Sequence, residues 1–335
     1  MTKTVFRNRN VLIAFIIMKR LMIIILLILT CSLSADEPFW LVNPPALTPG
    51  PKGNFDETAV KDPTIVFFEN NWHLFYTARG QNRYHLGYVA APTLESLNKA
   101  PHIQLKQLRG QSDPYAAAPQ VFFFKPQKTW YLIYQTRGSN YQPVYSATKT
   151  IAKPESWIPP EPLIKKDEKA KWIDFWIICD DTSAYFFYTR SHRDVYVQTT
   201  SLKDFPKGWS NPRKVFSGIH EAVHIYKVRD KPEYHMIYEL NIKGERSFGL
   251  ASAETLPGPW KKITDRYAAG PQLKYPPNAK VWTEEVSHGE LIRTGCDQHL
   301  EYNPQNTQFL IQGLLKRDHQ GPYPQRPWKL GIIKK

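Results

Sequence analysis

One pattern recurs five times along this chain, and it constrains the fold more than any other feature of the sequence. A polar residue opens an apolar strand, a turn follows, and a strand rich in aromatic residues returns. The repeats begin, at intervals of 47 to 67 residues, at Asp62, Tyr115, Asp174, Glu221 and His288. Each interval has room for a hairpin and two more short strands, which is typical of propeller blades. We therefore predict an all-β fold, a five-bladed β-propeller. The alternatives are an irregular β-sandwich and a chance repetition of similar aromatic hairpins.

The distribution of turn-forming residues agrees with this fold class. Few long stretches place apolar side chains at the i, i+3, i+4 spacing of a helix. The 28 prolines and 17 glycines interrupt the chain at the short intervals that strands and turns require. A propeller must also join its ends. We expect either the residues after Asp36 or the C-terminal segment 328–333 to add a strand to a neighbouring blade.

The first 35 residues are predicted to be a secretory signal peptide. Residues 18–20 are a short basic region, residues 21–29 are an unbroken apolar run, and residues 32–35 are small enough for cleavage. The apolar run is too short for a membrane span. Met18 is an alternative start, because a Lys-Arg pair interrupts the longer apolar stretch. We expect a secreted protein, extracellular or periplasmic, without stable membrane association.

The mature chain, residues 36–335, is then one propeller domain, expected to be a monomer. No lipid anchor is expected at Cys31, because the preceding threonine is larger than the residue usual before a lipidated cysteine. Cys179 and Cys296 remain after cleavage, both in apolar strand-like context. Buried thiols and a single disulfide are both open for this pair.

The charge of the chain does not indicate a nucleic-acid partner. The formal charge is +14, and five of the positive charges stand in the leader. The remaining Lys and Arg residues are scattered, without a basic stripe or a nucleic-acid motif. Aromatic residues make up 13% of the chain, and such residues pack on sheets and on sugar rings. The composition therefore favours a strand-rich protein with a sugar-facing surface.

Carboxylates stand at three of the five repeat starts. The inner strands of a propeller begin near the axis, so Asp62, Asp174 and Glu221 are expected to converge on one funnel, with His288 beside them. Converging carboxylates repel one another, so packing alone does not favour this arrangement. Glycoside hydrolysis needs one protonated acid and one carboxylate, and a third carboxylate can raise the pKa of the acid. The pattern therefore indicates a glycoside hydrolase.

The motifs around these acids resemble those of glycoside hydrolase family 62, in order from about residue 55 to the C-terminus. The segments that carry the resemblance are Lys61-Asp62-Pro63, Tyr115-x-Ala-Ala-Pro119, Trp172-Ile-Asp-x-Trp176, Ile178-Cys-Asp-Asp-Thr182, Glu221-Ala-Val, Ser287-His-Gly-Glu-Leu291, Phe309-Leu-x-Gln-Gly313 and Pro327-Trp-x-Leu-Gly331. The resemblance implies a five-bladed propeller that removes arabinofuranose branches from arabinoxylan with inversion. In that reading Asp62 is the general base, Glu221 the general acid, and Asp174 the residue that raises the pKa of the acid.

The resemblance also implies two pocket residues and a metal. Lys61 and Tyr323 would line the arabinose pocket, and His288 would face a largely hydrated calcium ion in the central channel. The chemistry itself would need no cofactor. Each residue has a plainer alternative: Lys61 as a rim charge, Tyr323 as a surface loop aromatic, and His288 as a hydrogen-bonded axial histidine without metal.

This chain departs from the family pattern at several positions around the expected pocket. Thr136 stands where a tryptophan is expected, Glu284 and Glu285 replace an Asn-Asp pair, residues 322–326 differ, and Lys329 replaces an arginine. None of these changes touches the acidic trio, so they concern the substrate and not the reaction class. Two other functions stay open: a related propeller glycosidase with another substrate, and a sugar-binding propeller without catalysis.

Overall fold

The computed structural model describes residues 39–109, 115–137, 141–165 and 169–335, and the segment Trp40–Lys335 forms one compact unit. The predicted signal peptide lies outside the described residues. The unit consists of five mainly antiparallel sheets in a five-bladed propeller, as predicted from the repeat. Within the described residues every helix is a short 3₁₀ turn, and none is long and apolar enough to cross a membrane.

The strands are labelled β1 to β22 in chain order, and β1 is Trp40–Leu47. Blade 1 consists of β2 (Ala59–Phe68), β3 (Asn71–Gly80), β4 (Arg83–Ala91) and β5 (Ile103–Gln104). Blade 2 consists of β6 (Ala116–Phe124), β7 (Thr129–Arg137), β8 (Tyr141–Thr148) and β9 (Glu161–Pro162). Blade 3 consists of β10 (Trp172–Cys179), β11 (Ser183–Arg190), β12 (Asp194–Ser201) and β13 (Arg213–Ser217).

Blades 4 and 5 each have a fifth, two-residue strand. Blade 4 consists of β14 (Glu221–Val228), β15 (Tyr234–Ile242), β16 (Glu245–Ala253), β17 (Lys261–Ala269) and β20 (Glu301–Tyr302). Blade 5 consists of β19 (Ser287–Leu291), β21 (Gln308–Gly313), β22 (Lys329–Lys334), β1 and β18 (Leu273–Lys274). The 3₁₀ helices are Leu94–Lys99, Lys106–Leu108, Lys125–Gln127, Pro154–Ser156, Gly270–Gln272, Pro304–Asn306, Lys316–His319 and Tyr323–Gln325.

The two ends of the compact unit meet in blade 5. Strand β1 pairs antiparallel with the C-terminal strand β22, with Leu41 opposite Lys334 and Val42 opposite Ile333. The N-terminal strand thus completes a blade whose inner strands come from the C-terminal part of the chain. This pairing closes the ring. The expectation that the ends join through strand addition is confirmed.

Each of the five inner strands has a break in its pairing register near its first residues. The breaks fall at equivalent points, between Lys61 and Thr64, Ala117 and Gln120, Ile173 and Trp176, Glu221 and His224, and Ser287 and Gly289. Four of the residues inside these breaks have a left-handed backbone, namely Asp62, Ala118, Asp174 and Ala222, with φ between 45° and 56°. A β-bulge of this kind turns a side chain away from the sheet face. The bulges therefore decide which side chains point into the mouth of the funnel.

The residue inside each bulge is tied to the preceding blade by its backbone N–H group. All five N–H groups donate to a side-chain oxygen, in the pairs Asp62 to Gln312 at 2.9 Å, Ala118 to Thr77 at 2.8 Å, Asp174 to Gln135 at 3.4 Å, Ala222 to Asp174 at 2.9 Å and His288 to Glu239 at 2.7 Å. A buried N–H outside a strand ladder must find an acceptor elsewhere. We call these five contacts the inter-blade ring.

The opposite end of the funnel is closed by a floor segment, residues 292–302. It contacts every blade in turn. Ile292 bonds to Gln308, the Arg293 guanidinium donates to the carbonyls of Ile65 and Val121, Cys296 accepts from Phe123, Gln298 accepts from Cys179, and β20 pairs with β14. Both cysteines belong to this region and are free thiols, which decides between the two alternatives left open by the sequence.

Two blades depend on a glycine packed against a tyrosine ring. Gly87 in β4 lies opposite Tyr76 in β3, and Gly249 in β16 lies opposite Tyr238 in β15. A Cβ atom at Gly87 would lie 2.3 Å from the ring of Tyr76, which is fully buried. The ring has little freedom to move aside, since its hydroxyl donates to Asp56 at 2.8 Å.

We predict that Gly87→Ala lowers the free energy of unfolding by about 1–3 kcal/mol, the usual cost of overpacking a buried site. Gly295→Ala is the matched control, because a Cβ atom there meets nothing within 4 Å. Urea unfolding followed by tryptophan fluorescence measures both. Equal stability of the two variants would show that the Tyr76 contact does not limit this position.

Candidate active site

The structure places the three predicted carboxyl groups at the mouth of the funnel, on the inner strands of blades 1, 3 and 4. Asp62 and Asp174 are 7% and 5% exposed, and the Glu221 side chain is 14% exposed. Their positions in the strands differ in one respect from the sequence prediction. Asp62 and Asp174 occupy the bulges themselves, whereas Glu221 stands one residue earlier, at the position that Lys61 has in blade 1.

Asp62 lies between two basic side chains. Its Oδ1 atom is 3.6 Å from the Lys61 ammonium and 3.5 Å from Nδ1 of His288. Its backbone N–H donates to Gln312 of blade 5, which holds the bulge in place. An ionised carboxylate in a nearly buried position needs such partners, and Lys61 supplies the positive charge. Asp62 is therefore fixed in position, with a cation beside its carboxyl group.

Asp174 is both a member of the acidic group and part of the inter-blade ring. Its Oδ2 atom accepts the Ala222 N–H at 2.9 Å. Burial raises the pKa of Asp174 well above its ordinary value, and the negative charges of Glu221 and Asp62 raise it further. These charges act on Asp174 strongly only because the three groups are close together and screened from water. Burial and these charges therefore favour the protonated form of Asp174.

Glu221 has the opposite electrostatic environment. Arg246 donates to its Oε1 atom at 2.8 Å, and Nδ1 of His192 and Nε2 of His220 lie 3.4 Å and 3.8 Å from its Oε2 atom. Burial acts to raise the pKa of Glu221, but the His192 contact and the Arg246 charge outweigh it, so the pKa lies below its ordinary value. The sequence led us to expect that Asp174 would hold Glu221 protonated. In the free protein the cationic partners prevail over that repulsion.

Glu239 is a further carboxyl group of the site that the sequence analysis did not identify. It is fully buried within β15, contacts Arg246, and accepts hydrogen bonds from the Ser287 hydroxyl at 2.8 Å and the His288 N–H at 2.7 Å. Burial raises its pKa to about 7, although the Arg246 charge acts in the opposite direction. Arg246 thus joins Glu239 to Glu221.

A sequence signal for Glu239 does exist. In blades 1 to 4 the second strand has a buried tyrosine followed by a polar residue, in the pairs Tyr76-Thr77, Tyr134-Gln135, Tyr188-Thr189 and Tyr238-Glu239. These polar residues lie opposite equivalent points of the inner strands. Aligning the second strands as well as the first would have placed Glu239 at the funnel.

Lys61 and Tyr323 lie together at the site, as the resemblance implied. The Lys61 ammonium is 4.8 Å from the centre of the Tyr323 ring and 5.9 Å from that of Tyr84, and the Arg246 guanidinium is 5.6 Å from the Tyr323 ring. Lys61 is only 7% exposed, so it is not a charge at the rim. Tyr323, which begins a 3₁₀ turn before β22, packs against Trp328 and is partly buried. The two side chains form one wall beside Asp62.

His288 lies in the channel, but its neighbours are few. It is 5% exposed, and its ring is 5.2 Å from that of His224, whose Nδ1 atom donates to the Gly289 carbonyl and whose ring stacks on Trp176. Calcium prefers six to eight oxygen ligands. The Asp62 carboxylate faces the His288 ring, and the Glu239 carboxylate is engaged by the His288 N–H, so a calcium ion there would be held mainly through water. Calcium stays a prediction.

The raised pKa of Glu239 has a consequence for stability. Its pKa is about 7 in the folded protein against an ordinary value of 4.5. Between these values the folded protein keeps a proton that the unfolded chain releases, so Glu239 lowers the free energy of unfolding as the pH rises. Glutamine has no such proton. We predict that the stability of Glu239→Gln relative to the parent protein increases from pH 4.5 to pH 7.

Urea unfolding at several pH values measures this difference. Glu245→Gln is the matched control, because Glu245 is a neighbouring glutamate whose side chain is 80% exposed. The control should show no such trend. A stability difference for Glu239→Gln that stays constant or falls across the window would contradict the assignment.

Comparison with a curated relative indicates a glycoside hydrolase. The chain is 31% identical over 319 residues to a protein of Cellvibrio japonicus named alpha-L-arabinofuranosidase C. The match covers 91% of this chain and 48% of that protein. The chain thus spans about half the length of the curated relative.

Solved structures and a family model agree on the fold and the family. The catalytic domain of a Coprinopsis cinerea GH62 α-L-arabinofuranosidase is 29% identical, with a TM-score of 0.80 over 88% of this chain and 96% of that one. A GH62 hydrolase solved with xylotriose is 28% identical, with a TM-score of 0.79 over 89% and 97%. The family model described as Glycosyl hydrolase family 62 matches residues 46–334. The chain, which carries the family's fold over nearly all of its described length, therefore belongs to glycosyl hydrolase family 62.

Proposed function

We propose that this protein is an inverting α-L-arabinofuranosidase that removes arabinofuranose side chains from arabinoxylan. The observation that carries the proposal is the group of three nearly buried carboxyl groups at one mouth, with opposite electrostatic environments around Asp174 and Glu221. Two similar proteins are named arabinofuranosidases, and a third was solved with xylotriose, a fragment of a xylan backbone. These relatives support the choice of sugar and of polymer.

Asp62 is proposed as the general base. A base must be ionised and must be held where it can take a proton from the attacking water. Asp62 is a buried carboxylate with Lys61 at 3.6 Å, and its backbone is fixed by the contact with Gln312. It belongs to blade 1, whereas Glu221 belongs to blade 4, which is not an adjacent blade. This arrangement supports a separation wide enough for a water molecule between base and sugar.

Glu221 is proposed as the general acid, and this role requires it to gain a proton when substrate binds. In the free protein its partners are Arg246 and the half-exposed His192. A leaving-group oxygen that approaches Oε2 of Glu221 would compete with the His192 contact and exclude water, which favours the neutral acid. Asp174 lies nearby, and because its pKa is raised it can share its proton with Glu221. We therefore propose that Asp174 adjusts the pKa of Glu221 when substrate is bound.

Lys61 and Tyr323 are proposed to line the arabinose pocket beside Asp62. An ammonium group can donate to sugar hydroxyls, and an aromatic ring offers an apolar face to a sugar. Their mutual contact at 4.8 Å keeps both side chains in place before the sugar arrives. Export through residues 1–35 and action as a monomer complete the proposal, and both rest on the sequence.

The two principal acids should respond differently to the leaving group. Glu221→Gln should slow arabinose release from arabinoxylan by about 10²–10⁴-fold, the usual value of general acid catalysis, because a sugar oxygen leaves only with a proton. The same variant should largely keep its activity on a nitrophenyl arabinofuranoside, whose leaving group needs no proton. Asp62→Asn should lose activity on both substrates, because the water must be activated in either case.

Both variants must melt close to the parent temperature for this comparison to be used. If Glu221→Gln loses both substrates equally while Asp62→Asn distinguishes them, the two roles are reversed. If neither variant loses activity, the protein works through another site.

The stereochemical outcome tests the proposed spacing of base and acid. Inverting enzymes have their two carboxyl groups about 6.5–9.5 Å apart, with room for water, whereas retaining enzymes have them about 5–5.5 Å apart. We predict that the first arabinose released has the inverted anomeric configuration. Proton NMR during the first minutes of hydrolysis measures it, before mutarotation mixes the anomers. A first product of retained configuration would exclude the role proposed for Asp62.

A further inference from the structure

Two histidines, His192 and His220, flank the outer oxygen of Glu221. His192 comes from blade 3 and His220 from the residue just before β14 of blade 4. One ligand atom from each of His192, His220 and Glu221 lies within 4.8 Å of the others, and they form the one group of this kind among the described residues. Two imidazoles and a carboxylate are a common set of protein ligands for zinc.

The spacing of the ligand atoms is close to that of a tetrahedral site. Zinc–nitrogen distances of about 2.0–2.1 Å place tetrahedral ligand atoms about 3.4 Å apart. Oε2 of Glu221 is 3.4 Å from Nδ1 of His192 and 3.8 Å from Nε2 of His220. The two imidazole rings are stacked, with centroids 4.9 Å apart and an interplanar angle of 26°. Each ligand atom lies within 4.8 Å of the others, so one ring has to shift for all three to reach tetrahedral spacing.

The backbone presents both histidines to Glu221. Ser191 and His192 form the turn between β11 and β12, with φ of 56° and 47°. Such turns usually have asparagine or glycine at these positions, and histidine is one of the other residues enriched in this left-handed region. His220 is fixed by its own N–H group, which donates to the Glu239 carbonyl at 2.7 Å.

The solvent exposure of the three ligands and the charge of Arg246 determine which kind of ion can bind. The side chains of His192, His220 and Glu221 are 52%, 26% and 14% exposed, so an ion can enter from solvent. The Arg246 guanidinium occupies the other carboxylate oxygen, and its positive charge opposes any cation. Ions that prefer oxygen ligands have one carboxylate oxygen here and gain little. Zinc and copper bind imidazole nitrogen strongly, which can offset the repulsion from Arg246.

We propose that His192, His220 and Glu221 form a binding site for a zinc-class transition-metal ion, which holds Glu221 away from the substrate. Metal on Oε2 of Glu221 occupies the atom that would carry the catalytic proton, so the ion acts as an inhibitor and not as a cofactor. Binding of the ion depends only on the three ligands. Inhibition rests on the proposed role of Glu221 as the acid.

Calorimetric titration of the chelator-treated protein with zinc chloride tests the binding. We expect one ion per chain, and an affinity at least about tenfold weaker in His192→Ala and in His220→Ala, since even partners of metal ligands are worth that much. His319→Ala is the matched control, because His319 contacts Glu285 at 2.7 Å but belongs to no group of three such ligands in the described residues. Cu²⁺ with electron paramagnetic resonance should report two nitrogen ligands.

Folded variants that bind zinc as tightly as the parent protein, or a parent protein that binds none, would overturn the site. The second measurement is arabinose release with and without zinc. Zinc should inhibit the parent protein reversibly, and chelator should restore its activity. Zinc that binds at this site without slowing release would overturn the inhibitory role alone. A protein that releases no arabinose under any condition contradicts the proposed function, whereas the titration still decides the site.

Discussion

The inter-blade ring is the interaction on which the site depends. Each bulge takes one N–H group out of its strand ladder, and a buried N–H without an acceptor is costly. The preceding blade supplies the acceptor in every case, from Gln312, Thr77, Gln135, Asp174 and Glu239. These contacts fix each inner strand relative to its neighbour at the level where the carboxyl groups emerge. The geometry of the site is therefore set by contacts between blades, and not within any one of them.

Blade 3 shows how closely scaffold and chemistry are combined. In blades 1, 2, 4 and 5 the acceptor is the polar residue of the second strand, but in blade 3 the equivalent residue is Thr189 and the acceptor is Asp174 itself. The carboxyl group that tunes the proposed acid is thus also the group that holds the start of β14, where Glu221 stands. A change in the charge of Asp174 would act on the position of Glu221 as well as on its pKa.

The charged side chains of the site form two linked groups. Lys61 pairs with Asp62, while Arg246 pairs with both Glu221 and Glu239, and Tyr323 lies against both cations. The pKa of Glu239 is raised to about 7 and that of Glu221 is lowered, although both contact the same guanidinium. The difference arises because Glu239 has no solvent contact, whereas Glu221 gains His192 as a second partner. Substrate can therefore change the protonation of Glu221 by displacing an exposed side chain, without moving the buried Arg246–Glu239 pair.

The repeat predicted the fold because each hairpin must bury an apolar face that only its neighbours can cover. It also predicted that Asp62, Asp174 and Glu221 converge at one mouth, since the inner strands of a propeller begin near its axis. The first strands of the repeats did not predict three features of the site. Glu221 is offset by one residue because bulges change the register, which periodicity does not reveal. Glu239 stands in the second strand of its repeat, which an alignment of the first strands alone does not reach. The low pKa of Glu221 depends on His192 and Arg246, which are distant in sequence and meet only in the folded ring.

Analysis of the sugars released from arabinoxylan tests the central claim most directly, namely that one site formed by blades 1, 3 and 4 removes arabinofuranose branches from a xylan backbone. The purified protein is incubated with wheat-type arabinoxylan, and the products are separated by anion-exchange chromatography and by size. The account predicts free L-arabinose as the sole small product, with the xylan backbone remaining polymeric. Release of xylose or shortened xylo-oligosaccharides, or the absence of free arabinose, would contradict it.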